Sequence, residues 1–176
     1  MKNVYLIGYM GAGKSTAGKQ LARLLGYSFI DLDRAFEENF RISIMDFFEK
    51  YDEAAFRILE RRLLETTFTM ESHVISTGGG TACYSDNIHL INQHGISVYI
   101  HMHPDSLFAR LKNARRPRPR ISDLNDEELK VQIDRDMNDR ARLYQQAHYH
   151  IKGESLDFKA LALLVAPALG IALSGE

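Results

Sequence analysis

A chain of 176 residues, 45% hydrophobic and 26% charged, suits one soluble globular domain over 1–176 and leaves little room for two cores. Its net charge of −1 excludes the basic surface that a nucleic-acid partner requires. The one cysteine, Cys83, cannot close an internal disulfide and is expected to be inert; with no leader segment read at the start, the expectation is a cytoplasmic protein.

The first apolar run of strand length is Val4–Ile7, and Gly8-Tyr9-Met10-Gly11-Ala12-Gly13-Lys14-Ser15 follows it with the spacing G-x-x-x-x-G-K-[ST]. A helical pattern runs from there, Lys14 to Leu25, with Leu21, Leu24 and Leu25 as its apolar face and Gly26 as its stop. Strand, glycine loop and helix in that order form a phosphate cradle. The loop N–H groups and the positive helix end face the anion, Lys14 reaches the β- and γ-phosphates, and the Ser15 hydroxyl is offered to Mg²⁺. Nucleotide contacts are therefore expected from Gly11, Ala12, Gly13, Lys14, Ser15 and Thr16.

Further strands are expected at 28–30, 74–76, 97–100 and, more weakly, 150–152. Helices are expected at 33–40, 44–49, 52–70, 86–93, 104–112, 126–147 and 158–169. Strands alternating with helices predict parallel β-α-β units with helices on both faces and ligands at the carboxyl ends of the strands. The apolar tail segment 161–173 is broken by Pro167 and Gly170 and is shorter than the roughly 20 residues that span a bilayer, so a core helix bending or ending near Pro167 is expected there. His101-x-His103 and His148-x-His150 lack a third ligand for zinc, and polar strand ends are the preferred reading.

Neither an N-K-x-D guanine signature nor an apolar strand ending in Asp-Glu is present, which favours a kinase over a GTPase or a mechanical ATPase. At the strand ends stand Asp31-Leu32-Asp33 and Thr77-Gly78-Gly79-Gly80. The alternation of Asp31 and Asp33 along an extended segment does not by itself assign their roles, and either use of Asp33, as base or as helix N-cap, fits. Arg57 and Arg140 each present a planar fork suited to a carboxylate; each also has a carboxylate at helical spacing, Glu60 and Asp136, for an ordinary surface ion pair. Gly78, Gly79 and Gly80 let backbone N–H groups approach a ligand closely, and Phe48 and Phe56 suit an apolar pocket wall.

The phosphate loop, the Asp-x-Asp, Phe56-Arg57-x-x-Glu60, the Thr-Gly-Gly-Gly, Arg116-Pro117 and Arg140-x-x-x-Tyr144, in this order and spacing, resemble shikimate kinase over roughly residues 2–150. The resemblance implies a three-layer α/β/α fold of the nucleoside-monophosphate-kinase type with a five-stranded parallel sheet in the order 2-3-1-4-5, substrate-binding helices at about 33–70 and a lid at about 113–125. It implies transfer of the γ-phosphoryl group of ATP to the 3-hydroxyl of shikimate, with Mg²⁺ as cofactor. Asp31 then joins Ser15 in the metal shell, and Asp33 takes the acceptor's proton. Arg57 and Arg140 bind the shikimate carboxylate beside Gly78, Gly79 and Gly80, Arg110 stacks on adenine, and Arg116 closes the lid on the phosphates. Lys14, Asp33 and Arg116 are the catalytic set. Two positions depart from the family: Arg118-Pro119 where two aliphatic residues are usual, and Asp52 where glycine is common. The expected partners are shikimate and ATP, with a monomeric chain and neither membrane nor nucleic acid. The competing readings are a kinase of the same fold acting on gluconate or a nucleoside monophosphate, and a nucleotide-binding module without catalysis.

Overall fold

Five strands pair side by side, each running parallel to its neighbours. The computed structural model describes residues 1–114, 119 and 121–172. β1 (Asn3–Ile7) is central, flanked by β3 (His73–Ser76) and β4 (Gly95–His101), with β2 (Ser28–Asp31) and β5 (Tyr149–Lys152) at the edges, in the order β2-β3-β1-β4-β5. Leu6 and Asp31 both pair with Ser76, so the three strands end level and the residues after them emerge together on one edge.

Val4 through Ile7 are wholly buried, as a central parallel strand covered on both faces must be. Its side chains alternate between two cores. Val4 and Leu6 pack with Ala17 and Leu21 of α1 (Lys14–Leu25) and with Leu161 and Val165 of α8 (Phe158–Leu169). Tyr5 and Ile7 pack with Ile88 and Ile91 of α5 (Asn87–His94) and with Tyr144, the last residue of α7 (Asp126–Tyr144). α6 (Pro104–Lys112) joins the first core through Leu107 and Leu111. A third, smaller cluster of Phe36, Phe47 and Phe56 holds together α2 (Leu32–Phe40), α3 (Ile44–Lys50) and α4 (Glu53–Thr66). Three phenylalanines, each worth about 3–5 kcal/mol against truncation to alanine, keep these helices as a unit beside the strand ends.

Local chemistry fixes the element ends. Gly26 closes α1 with φ +69°, as expected. The apolar face of α1 is Ala17, Gly18, Leu21, Ala22 and Leu25; Leu24, assigned to that face from the sequence, is only partly buried at its margin. α2 begins one residue earlier than predicted, and Asp31 rather than Asp33 is its N-cap, accepting from the N–H groups of Asp33 and Arg34. α4 stops at Thr66 instead of Met70, and a 3-10 turn follows because Asn3 of β1 donates to the carbonyls of Thr67 and Met70 at 2.9 Å each. α8 runs through Pro167 to Leu169 and ends on Gly170. The ring removes the N–H that would meet the carbonyl of Leu163, and Leu163 is half exposed at 52%, so water can satisfy the freed carbonyl.

Candidate active site

The phosphate loop joins β1 to α1 at the level edge of the sheet. Gly13, with φ +95°, is the N-cap of α1 and carries no side chain to satisfy the first helical N–H groups, so those donors face outward for an anion. Lys14 is buried and its Nζ donates to the carbonyls of Gly8 (2.8 Å) and Tyr9 (2.9 Å). The Ser15 hydroxyl donates to Asp31 Oδ2 at 2.5 Å and lies 3.4 Å from Ser76 Oγ. Lys14, Ser15 and Ser76 open onto a cavity lined also by Gly11, Gly13, Thr16, Asp33 and Gly79, while Asp31 lines a neighbouring cavity that shares Ser15. The Ala12 side chain packs into the sheet core, while its carbonyl, with those of Gly11 and Gly153, accepts from the Arg110 guanidinium at 3.3–3.4 Å. Arg110 thereby sits across the outer side of the loop.

A second cavity lies between that edge and the helices α2, α3 and α4, and it brings together Asp33, Phe48, Phe56, Arg57, Glu60, the three glycines and Arg140. Arg57 donates from Nη1 to Glu60 Oε2 (2.6 Å) and from Nη2 to Glu53 Oε1 (3.1 Å), with Cζ 5.2 Å from the Phe56 ring centre. Burial works against the Arg57 charge, but Glu60 and Glu53 outweigh it and hold its pKa above the usual value. Burial likewise pushes Glu60 up, with Asp33 adding to the rise, while Arg57 and the Thr81 hydroxyl, 2.6 Å from Oε1, pull against it. The helical pairings expected as alternatives to ligand binding do form, Arg57 with Glu60 and Arg140 with Asp136. They are not surface pairs, since the side chains of Arg57, Glu60, Arg140 and Asp136 are only 12%, 4%, 10% and 7% exposed. Desolvating such pairs is costly, and each arginine still lines the cavity.

The glycine turn is shaped by its neighbours. A Cβ on Gly80 would come within 2.8 Å of Arg57 Cζ, and one on Gly78 within 2.8 Å of Thr81 Oγ1 and 3.0 Å of Asp33 Oδ1, so side chains here would displace the very groups that line the cavity. Tyr144 donates its hydroxyl to the Gly79 carbonyl, as does Arg140 Nη1 at 3.4 Å. Burial pushes the Tyr144 hydroxyl well above its ordinary pKa, which keeps it a neutral donor.

Met10, Asp33 and Gly79 line both cavities, and of the three Asp33 alone has a titratable side chain. Sequence reasoning missed Tyr9, Met45, Glu37 and Thr81, which line or support the site; only their nearness to quoted motifs could have flagged them. Arg116, together with Arg115, Arg118 and Arg120 of the expected lid, lies outside the described residues, while Pro119 reaches the second cavity. The histidines form no group of three metal ligands among the described residues: His148 Nδ1 is 3.0 Å from Ser97 Oγ, and His103 caps α6.

The family described as shikimate kinase matches residues 10–164. A shikimate kinase of Bacteroides thetaiotaomicron is 43% identical over 157 residues, 89% of this chain and 90% of that protein. The crystal structure of a shikimate kinase from Bacteroides thetaiotaomicron superposes with a TM-score of 0.88 at 38% identity, covering 97% of this chain and 99% of that one. A shikimate kinase from Acinetobacter baumannii in complex with shikimate gives 0.84 at 32% identity, covering 96% and 93%.

Proposed function

The chain belongs to the shikimate kinase family and uses ATP to phosphorylate shikimate at its 3-hydroxyl, a step of aromatic amino-acid synthesis; we propose that its two adjoining cavities divide that reaction, the phosphate-loop cavity taking ATP and the arginine-lined cavity taking shikimate. The observation that carries this division is Asp33, which belongs to the walls of both. The relative from Acinetobacter baumannii is known in complex with shikimate.

On this reading the loop N–H groups from Gly11 to Thr16 and the Lys14 ammonium hold the phosphates, with Lys14 exchanging its two carbonyl partners for phosphate oxygens. Arg57 and Arg140 grip the carboxylate of shikimate, and the backbone of Gly78, Gly79 and Gly80 approaches its ring oxygens. Asp33 accepts the proton of the 3-hydroxyl as that oxygen bonds to the γ-phosphorus. The bond from phosphorus to the bridging oxygen breaks, and ADP leaves. Most of the acceleration is positioning and charge stabilisation. The Ser15 hydroxyl and Asp31 carboxylate are hard oxygen donors that fit Mg²⁺; when bound, that ion neutralises charge on the phosphates. Arg110 contributes at the adenine side and Arg116 at the lid.

The whole of 1–176 acts as one kinase domain, with substrate-binding helices at 33–70 and a lid at 113–125, as a cytoplasmic monomer. No helix among the described residues is long and apolar enough to cross a membrane. An ADP-release assay tests the reading with shikimate and gluconate as acceptors. Turnover is expected with shikimate, and turnover with gluconate alone overturns it.

A further inference from the structure

Tyr9 is a phosphate-loop residue whose ring is buried and whose side chain serves a different place. Its hydroxyl donates to Asp136 Oδ2 at 2.8 Å, across 127 positions of sequence. The same oxygen lies 3.3 Å from Arg140 Nη2, and the Arg140 Cζ sits 5.3 Å from the Tyr9 ring centre. The Arg140 guanidinium is therefore held along one edge by a buried carboxylate, on one face by the Tyr9 ring, and at Nη1 by the Gly79 carbonyl. An arginine fork has five donors in a fixed plane, so anchoring part of it sets the direction of the rest, here toward the second cavity. The Tyr9 hydroxyl occupies part of the accepting capacity of Asp136 and tempers the pull of that carboxylate on Arg140.

We propose that Tyr9 and Asp136 are positioning residues for Arg140, so that a side chain of the nucleotide loop sets the affinity of the acceptor site for its carboxylate substrate. This rests on the assignment of Arg140 to the shikimate carboxylate. Tyr9→Phe keeps the ring and removes only the hydroxyl. It is expected to raise the Kd and KM for shikimate about fivefold while kcat and the KM for ATP stay within about twofold. Asp136→Asn is expected to raise the shikimate KM about tenfold, and the double variant to add little beyond that, because the two act through one guanidinium.

The full-length chain is titrated with shikimate by calorimetry, alongside steady-state kinetics and thermal melting. A Tyr9→Phe variant that melts lower but binds shikimate like the wild type overturns the proposal, as does additivity in the double variant; if Asp136→Asn does not fold, Tyr9→Phe alone decides. Arg140→Ala separates the two levels of argument. Should the wild type give no heat with shikimate, or Arg140→Ala leave that heat unchanged, the assignment of the acceptor site fails. Should Arg140→Ala weaken binding while Tyr9→Phe does not, only the present inference fails.

Discussion

A general base must stand where acceptor and phosphate meet, and in the proposed division of the site that place falls to Asp33, which lines both cavities from the first turn of α2. Capping does not call on its side chain, because Asp31 holds the N–H groups of Asp33 and Arg34. Asp33→Asn keeps the shape and removes the base, so kcat should fall by about a hundredfold or more while ADP affinity changes less than about twofold, measured by steady-state rates and calorimetry. A kcat near the wild-type value would remove Asp33 from the mechanism. Cys83 sits at the other extreme of reactivity: burial pushes its thiol up to about 11, with nearby Arg140 and Tyr144 only partly offsetting it. The reactive thiolate is scarce at neutral pH, so alkylation by iodoacetamide should run about a hundredfold slower than for free cysteine and climb as the pH approaches the raised value. A rate equal to that of free cysteine contradicts the burial. Single residues were legible in sequence where a motif fixes their place, as Lys14 and Ser15 follow the loop glycines into the first turn of α1. They were less legible where one type serves two ends: Asp31 and Asp33 alternate identically along the chain, and only the folded turn, in which the Asp31 carboxylate takes the N–H groups of Asp33 and Arg34, separates the cap from the residue lining both cavities.

At the scale of elements, α4 carries Arg57 and Glu60 to the wall of the second cavity, and its start depends on Asp52, whose Oδ1 accepts from the Ala55 N–H at 2.8 Å. The residue that departs from the family's usual glycine is thus an N-cap. Glycine and aspartate are both tolerated at that position, whereas alanine is not, so Asp52→Ala should cost about 1 kcal/mol and Asp52→Gly only about a few tenths. Urea midpoints at unchanged slope check this, and equal losses for the two variants would refute the capping role. Elements bounded by the local signals read in the sequence came out close to expectation: α1 ends on its glycine, and β1 is the unbroken apolar run with Asn3 added. Boundaries set from a distance did not. The helical pattern through Phe68 and Met70 is real, yet Asn3, more than sixty positions away, takes the carbonyls of Thr67 and Met70 and ends the helix early.

Across the whole molecule, the sheet order β2-β3-β1-β4-β5 is the one the family resemblance implied, and the phosphate loop, Asp31-Leu32-Asp33 and the glycine turn gather because each follows a strand end on one edge, while Arg57 and Arg140 come in on α4 and α7. The parallel alternation was legible in the spacing of strands and helices along the chain. The link from Tyr9 to Asp136 was not, because it depends on the packing of α7 against the phosphate loop rather than on any local pattern. Two adjoining cavities that share Met10, Asp33 and Gly79 but have otherwise different linings imply two largely separable binding energies. A ligand present at about a hundred times its Kd adds about 2.7 kcal/mol to stability, which for a chain of 176 residues corresponds to a rise of about 5–10 °C in Tm. In the proposed division, ADP with Mg²⁺ draws on the loop and Lys14, while shikimate draws on Arg57 and Arg140. Arg140→Ala should therefore keep the ADP-driven rise nearly whole and lose most of the shikimate-driven rise at the same ligand concentrations, as read by thermal melting. Loss of both rises together would mean that the arginine supports the nucleotide loop itself, and the division of the site into two halves would not stand.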